Sequence, residues 1–332
     1  MGKKVVIFGA TGYIGAYLTD YLQGVLSKEY EIVAVARKNL DYYDNSSVKT
    51  VKVDICSSYD FNDLPTADVY AVVDLAGVLP AYLKEFDPYI YAETNIMGGL
   101  RILEYARKVS ADRIIYTQTW TEYAGYWGEE EILSTSLERK LVYHGDHAFY
   151  AISKSTMTEM MEFYRQEYGL KSFILVLPNV YMYAPATTYY VDGIERKVAY
   201  RFMIERAAKG ENIELWGDPN AFKDILYIKD LCNLIYLTII SSGDGGKYNA
   251  GTGIKTTLRQ QIQGIIDVFS PHPDMTEIIE IPEKPSGVNF VMDIENAREE
   301  LGYEPHYPLI RFLEDYKIER ELKRFDILFE RK

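Results

Sequence analysis

Lys3-Lys4-Val5-Val6-Ile7-Phe8 runs directly into Gly9-Ala10-Thr11-Gly12-Tyr13-Ile14-Gly15. The first six residues form a short apolar run, the pattern of a strand buried on both faces. Past the glycines, residues 16–26 carry Leu18, Leu22 and Leu26 at helical spacing. The glycines therefore stand where a strand turns into a helix, and that context gives each a physical role. Gly9 makes the tight turn, Gly12 lets the backbone approach a pyrophosphate, and Gly15 lets the helix pack closely on the strand. Free N–H groups at the start of the helix would then face the phosphates. The bare alternative is a strand-turn-helix with no ligand.

Residues 31–36 read as the second strand, which ends in Ala36-Arg37-Lys38 with no acid before Asp41. A carboxylate ~20 residues past the glycines would bind a ribose 2′-hydroxyl, whereas Arg accommodates a 2′-phosphate. Arg37 and Lys38 thus favour NADP over NAD, unless they only open a solvated loop. Residues 48–54 form a third strand leading to Asp54-Ile55, and residues 69–75 a fourth leading to Leu75-Ala76-Gly77. The small residues there would leave room for the cofactor. A helix over 91–109 contains Asn95, and a fifth strand over 113–116 leads into Thr117-Gln118-Thr119. This alternation predicts an α/β fold, a Rossmann doubly wound parallel sheet, with ligands outside the C-terminal strand ends. A smaller α/β C-terminal substrate domain completes it. The division expected is 1–177 with 222–253 for the NAD(P)-binding domain, and 178–221 with 254–332 for the substrate domain.

A second stretch, Tyr150-Ala151-Ile152-Ser153-Lys154, carries chemistry. Among 30 tyrosines, Tyr150 alone has Lys four places on. On a helix these two share a face. A Lys ammonium there would lower the phenol's pKa towards working pH. Such a phenol could move a proton to or from a sugar oxygen while hydride passes to or from a nicotinamide. The bland alternative is two surface residues of an amphipathic helix.

The formal net charge of -13 argues against nucleic acid or an anionic membrane as partner. The apolar stretch over 231–240 is too short to span a bilayer. The start of the chain shows no signal-peptide pattern. The two cysteines, Cys56 and Cys232, are expected to be reduced thiols in a cytoplasmic protein. His144 and His147, read as lying in a loop before Tyr150, lack a third partner that would make a metal site.

With these residues in place, the chain resembles an extended short-chain dehydrogenase/reductase of the NAD-dependent epimerase/dehydratase family, whose members mostly act on nucleotide sugars. The resemblance runs almost end to end. It rests on Gly9 to Gly15, Val53-Asp54-Ile55, Asp74-Leu75-Ala76-Gly77, Thr94-Asn95, Thr119 with Tyr123, and Tyr150 with Lys154. It continues through Leu177-Pro178-Asn179-Val180-Tyr181, Lys223-Asp224-Ile225-Leu226-Tyr227, Tyr248-Asn249-Ala250-Gly251 and Leu301-Gly302-Tyr303-Glu304-Pro305. The resemblance implies Tyr150 as acid/base and Lys154 as its tuning residue and the holder of the nicotinamide ribose. It implies Thr119 as the hydroxyl at the reacting carbon. Gly9, Thr11, Gly12, Tyr13, Ile14, Gly15, Asp54, Ile55, Leu75, Ala76, Gly77, Asn95, Thr117 and Pro178 would line the cofactor with Arg37 and Lys38. Asn179, Lys223 and Lys284 would meet the substrate's phosphates and nucleotide. Lys223 stands where relatives usually carry Arg, which weakens bidentate phosphate binding.

Departures from the family pattern choose the reaction. In sugar 4,6-dehydratases Asp-Glu follows the Thr directly; here Trp120-Thr121 follows, and Glu122 comes one place too late. Trp120 could stack on a sugar face or pack in the core. A Tyr-rich insert over 187–191 would reshape the cleft. Arg196, Lys197 and Arg201 could face a diphosphate or belong to a solvated helix face. The leading expectation is an NAD(P)-dependent nucleotide-sugar 4-epimerase working through a transient keto-sugar. The alternatives are an NADPH-dependent keto-sugar reductase and a non-catalytic NADP(H)-sensing protein. A homodimer through the Asn95 and Tyr150 helices is expected; Met157, Met160, Met161 and Tyr164 fit such a face or a core equally well.

Overall fold

In the computed structural model, which describes residues 2–329, the run Lys3–Phe8 (β1) lies between two parallel neighbours. These are β2 (Tyr30–Ala36) and, across a fold reversal, β4 (Val69–Asp74); β3 (Lys49–Lys52) lies outside β2. Beyond β4 come β5 (Arg113–Thr119) and the strands Lys171–Leu177 and Gly245–Asn249. Every pairing in this seven-stranded sheet is parallel. Val5, Val6, Ile7 and Phe8 have no exposed surface. Helices on both faces cover them, as a continuous apolar strand requires. The expected doubly wound Rossmann sheet is what forms, and its order reverses between β1 and β4, where such sheets bind ligands.

The core lies in two layers that follow the strand pleat. Val5, Ile7, Ile115 and Phe173 face one side; Val6, Phe8, Ile114 and Met157 face the other. Met157 and Met161 are wholly buried and Tyr164 nearly so, so this run is core of the same chain rather than an outer face.

Several element bounds differ from the sequence expectation. Helix α1 (Tyr13–Val25) starts earlier than residue 16, capped by Gly12 with no side-chain bond. The single helix expected over 91–109 is three pieces: α2 (Pro88–Tyr91), a π-helical turn Ala92–Gly98, and α3 (Gly99–Lys108). Such turns gather at functional sites, and this one carries Asn95. β5 continues to Thr119, three residues past the expected end, because it pairs with Lys171–Leu177 throughout. His147 lies in helix α4 (Asp146–Tyr168), not in a loop.

The remaining residues build smaller elements over the strand ends. The Tyr-rich insert becomes a hairpin, Thr188–Val191 with Ile194–Lys197. Arg196 and Lys197 are exposed on it. Arg201 instead turns inward and donates to the carbonyls of Met182 and Ala186, so it neither faces a diphosphate nor belongs to a solvated face. Near the chain's end, Phe325 and Phe329 pack on Tyr17 and Tyr13 of α1, at 4.6 and 4.5 Å between ring centres. Arg324 pairs with Asp20 at 2.6 Å beside them.

Candidate active site

The glycine turn is tight for steric reasons. Gly9 has φ +80°, and a Cβ on Gly15 would lie 2.1 Å from the Gly9 carbonyl oxygen. Only Gly allows both without distortion. A Cβ on Gly9 would also lie 2.9 Å from the Ala76 nitrogen, so the turn and the end of β4 are in direct contact. Leu75 and Ala76 are half-buried, and Gly77 and Gly12 are exposed. Thr11 and Ile14 are half-buried beside them. The Tyr13 ring is held between Phe329 and Tyr82. The uncapped start of α1 leaves its first N–H groups without a side-chain acceptor, which fits a phosphate.

Just past the end of β2, the exposed Arg37 approaches Asp54 at 3.9 Å. Lys38 beside it is exposed. Asp54 is itself fixed, its nitrogen donating to Asp60 at 2.8 Å and its carboxylate accepting from the Cys56 nitrogen at 3.0 Å. Ile55 is buried. Cys56 and Cys232 are both free thiols.

Asn95 is a clasp. Its carbonyl oxygen accepts from the Val78 nitrogen at 2.8 Å; its amide donates to the Val78 oxygen at 3.1 Å and to Ser153 Oγ at 3.0 Å. The segment after β4 is thereby tied to α4, next to Lys154.

Thr117 and Thr119 are buried at the end of β5. The Thr119 hydroxyl accepts from the Thr121 nitrogen at 3.3 Å and shares a 3.0 Å hydrogen bond with the Thr121 hydroxyl. Tyr150 projects from α4 towards this strand end. Its ring lies 6.5 Å from that of the buried Tyr91. Burial and Tyr91 push the Tyr150 phenol above its usual pKa, and the neighbouring Thr119 hydroxyl pulls the other way. This corrects the expectation that Lys154 lowers it. The Lys154 ammonium lies 4.0 Å from the centre of the Tyr116 ring instead. Burial brings it down to about 8, opposed by the charge of Asp74. Burial in turn raises Asp74 to about 6, against Lys154 and a backbone hydrogen bond from Ala76. Sharing a helix face does not fix where two side chains end.

Lys154 is buried yet has no hydrogen-bond acceptor among the described residues. Its three N–H donors are left for partners at the strand ends, and ribose hydroxyls of a dinucleotide lying from Gly12 to Thr119 would supply them. The donor set thus fits the cofactor.

On the substrate side, Pro178 is buried and Asn179 exposed just past the strand beside β5. Lys223 is half-buried, with Nζ 5.4 Å from the centre of the Tyr181 ring. Lys284 is exposed and lies 5.1 Å from the Trp216 ring centre. Trp120 packs between Trp127 and Phe290, at 4.6 and 4.1 Å, the packing alternative of its two readings. Glu122 has no exposed surface and pairs with Lys247 at 2.7 Å and Arg139 at 3.4 Å. Tyr91, Ser153, Asp74 and Tyr116 were not singled out from sequence for the site. Asp74 had a signal, an acid at a buried strand end; Tyr91 had none.

The NAD dependent epimerase/dehydratase family model matches residues 5–251. UDP-glucose 4-epimerase of Mycolicibacterium smegmatis is 24% identical over 311 residues, covering 92% of this chain and 95% of that protein. The structure of Thermotoga maritima UDP-glucose 4-epimerase with UDP-glucose is similar at TM-score 0.76 and 23% identity, covering 97% of this chain and 100% of that one. So is Bacillus anthracis dTDP-glucose 4,6-dehydratase with NAD, at TM-score 0.73 and 17% identity, covering 99% and 100%. At these identities the structural likenesses establish the fold, while the family match spans most of the chain. The chain belongs to the NAD-dependent epimerase/dehydratase family.

Proposed function

We propose that this enzyme is a nucleotide-sugar 4-epimerase. The observation that carries this reading is the arrangement around Thr119. Thr119 and Tyr150, read as the redox hydroxyls, adjoin at the end of β5, and Lys154 rests on the Tyr116 ring of the same strand, while the positions of the elimination pair hold Trp120 and Thr121. The next acid, Glu122, is turned away into the interior and ion-paired. Eliminating water needs a further acid and base at the sugar beside the residue that moves the hydroxyl proton; an epimerase needs only the latter.

In this reading the bound nicotinamide supplies a reversible hydride acceptor. Tyr150 takes the proton of the sugar 4-hydroxyl and later returns it. Thr119 holds that oxygen, and Lys154 orients the ribose. Asn95 keeps the cleft wall and α4 in register. Asn179, Lys223 and Lys284 hold the nucleotide diphosphate while the keto-sugar turns. The chain divides as 1–177 with 222–253 for the cofactor and 178–221 with 254–332 for the substrate. A cytoplasmic homodimer completes the reading, supported by exposed Met97 and Phe163 on the Asn95 and Tyr150 helices.

Arg37 favours a second reading, a keto-sugar reductase that consumes NADPH. It stands just past the end of β2, is largely exposed, and its pairing with Asp54, at 3.9 Å, is long enough to yield to a 2′-phosphate. One experiment separates the two. The protein is denatured, its nucleotide identified, and UDP-glucose, UDP-N-acetylglucosamine and UDP-glucuronic acid are each followed by NMR. A retained cofactor and appearance of the 4-epimer support the epimerase. A 4-keto-6-deoxy product, or reaction only with added NADPH and a keto-sugar, sinks it.

A further inference from the structure

The two reacting hydroxyls come from different elements, Thr119 from β5 and Tyr150 from α4. Something must hold those elements in register to within a fraction of an ångström. Behind Thr119 lies a buried polar hub that does this. Gln118 is 1% exposed. Its carbonyl oxygen accepts from the Thr119 nitrogen at 2.8 Å. Its amide donates to Glu122 Oε2 and to Ser155 Oγ on α4, each at 3.3 Å. Glu122, wholly buried, also accepts from Arg139 Nε at 3.4 Å, and its other oxygen lies 2.7 Å from Lys247 Nζ. Arg139 continues to α4, donating to Thr158 Oγ1 at 2.8 Å and to Glu159 at 2.7 Å.

We propose that Glu122 is a positioning residue: held by Lys247 and Arg139, it orients the Gln118 amide, which sets the Thr119 hydroxyl against Tyr150. The amide group explains why the acid is needed. Gln118 must present its oxygen to the Thr119 nitrogen and its NH2 to acceptors. Glu122 and Ser155 supply acceptors on the NH2 side, so the flipped amide loses bonds at both ends. A buried acid between two cations adds little to stability compared with apolar packing, and its best-attested use is to fix one arrangement. The inference rests on the role read for Thr119, but not on which sugar is the substrate.

The test is a double-mutant cycle in the full-length enzyme with its cofactor bound. Gln118→Leu leaves the ion cluster intact, and Glu122→Gln removes the acid. The readouts are kcat, KM, bound nucleotide and the rate at which a sugar nucleotide reduces the bound nicotinamide in one turnover. Each variant should lower kcat and the single-turnover rate about tenfold or more, with KM and nucleotide content within about twofold. The double variant should be no slower than the worse single one. Additive losses, or a lower melting temperature with unchanged kcat, overturn the inference. If Glu122→Gln does not fold, Gln118→Leu alone decides it. A wild-type enzyme whose nicotinamide no sugar nucleotide reduces refutes the role of Thr119 instead. Wild-type reduction matched by Gln118→Leu refutes only the hub.

Discussion

The ammonium of Lys154 lies 4.0 Å from the centre of the Tyr116 ring, one strand across from the carboxylate of Asp74. Tyr116 thus forms the floor on which the cation rests, and its own hydroxyl donates to the Lys154 carbonyl at 3.3 Å. A ring face attracts a desolvated cation. Lys154 is therefore held against β5 rather than turned sideways to the Tyr150 phenol, which suits the part proposed for it at the ribose.

Turnover should then follow the charges of this pair. Burial raises Asp74 to about 6 and lowers Lys154 to about 8 in the free protein. In the proposed mechanism Asp74 acts ionised and Lys154 protonated, so kcat/KM should fall as pH drops through about 6 and as it rises through about 8. Asp74 raises the Lys154 value, so Asp74→Asn should move the alkaline limb to lower pH and remove the acid limb. A pH profile of kcat/KM for both proteins checks this. An alkaline limb that stays in place would show that Asp74 does not act on Lys154.

Tyr150→Phe removes the hydroxyl proposed to move the proton and keeps the ring packed near Tyr91. Loss of general acid/base help should lower kcat by about a thousandfold. Bound nucleotide and melting temperature should stay near wild type, since Lys154 and Asn95 are untouched. Turnover within tenfold of wild type would mean that another group moves the proton.

Sequence made the sheet legible because the information there is local. An apolar run, a glycine turn and a helical repeat adjoin one another in residues 3–26, and each dictates its own backbone. The placement of Gly9, Ala76 and Thr119 was legible because strand ends fix it. The site was not legible where partners are far apart in sequence. Glu122 looked like a misplaced catalytic acid until Lys247, 125 positions on, appeared beside it. Arg201 looked like a surface cation until the carbonyls of Met182 and Ala186 enclosed it. The π-helical turn at Asn95 has no pattern of its own, since its spacing reads as ordinary helix.

The cofactor choice should reside in Arg37. If it meets a 2′-phosphate, Arg37→Ala should weaken NADP binding roughly tenfold and leave NAD binding unchanged. A charge-assisted hydrogen bond is worth about 1.5–3 kcal/mol, less where the side chain is exposed. Calorimetric titration of protein stripped of nucleotide gives both constants. Equal loss for the two cofactors would assign Arg37 to general electrostatics, and no loss for either would make it a loop residue paired with Asp54.

The C-terminal helix Asp326–Phe329 should matter to the cofactor although it lies outside the sheet. Phe329 packs edge-on against Tyr13, the residue after the glycine read as facing the pyrophosphate, and Tyr13 also meets Tyr82 at 6.0 Å. Phe329 is 6% exposed, so Phe329→Ala should lower stability by about 3 kcal/mol. It should also free the Tyr13 ring and with it the start of α1, raising the cofactor's dissociation rate. Nucleotide content after prolonged dialysis, read beside the melting temperature, checks this. Tyr13→Phe keeps the ring pair and should hold its cofactor as the wild type does. If Phe329→Ala retains its nucleotide equally long, the aromatic contact serves stability alone and the glycine turn holds its shape without it.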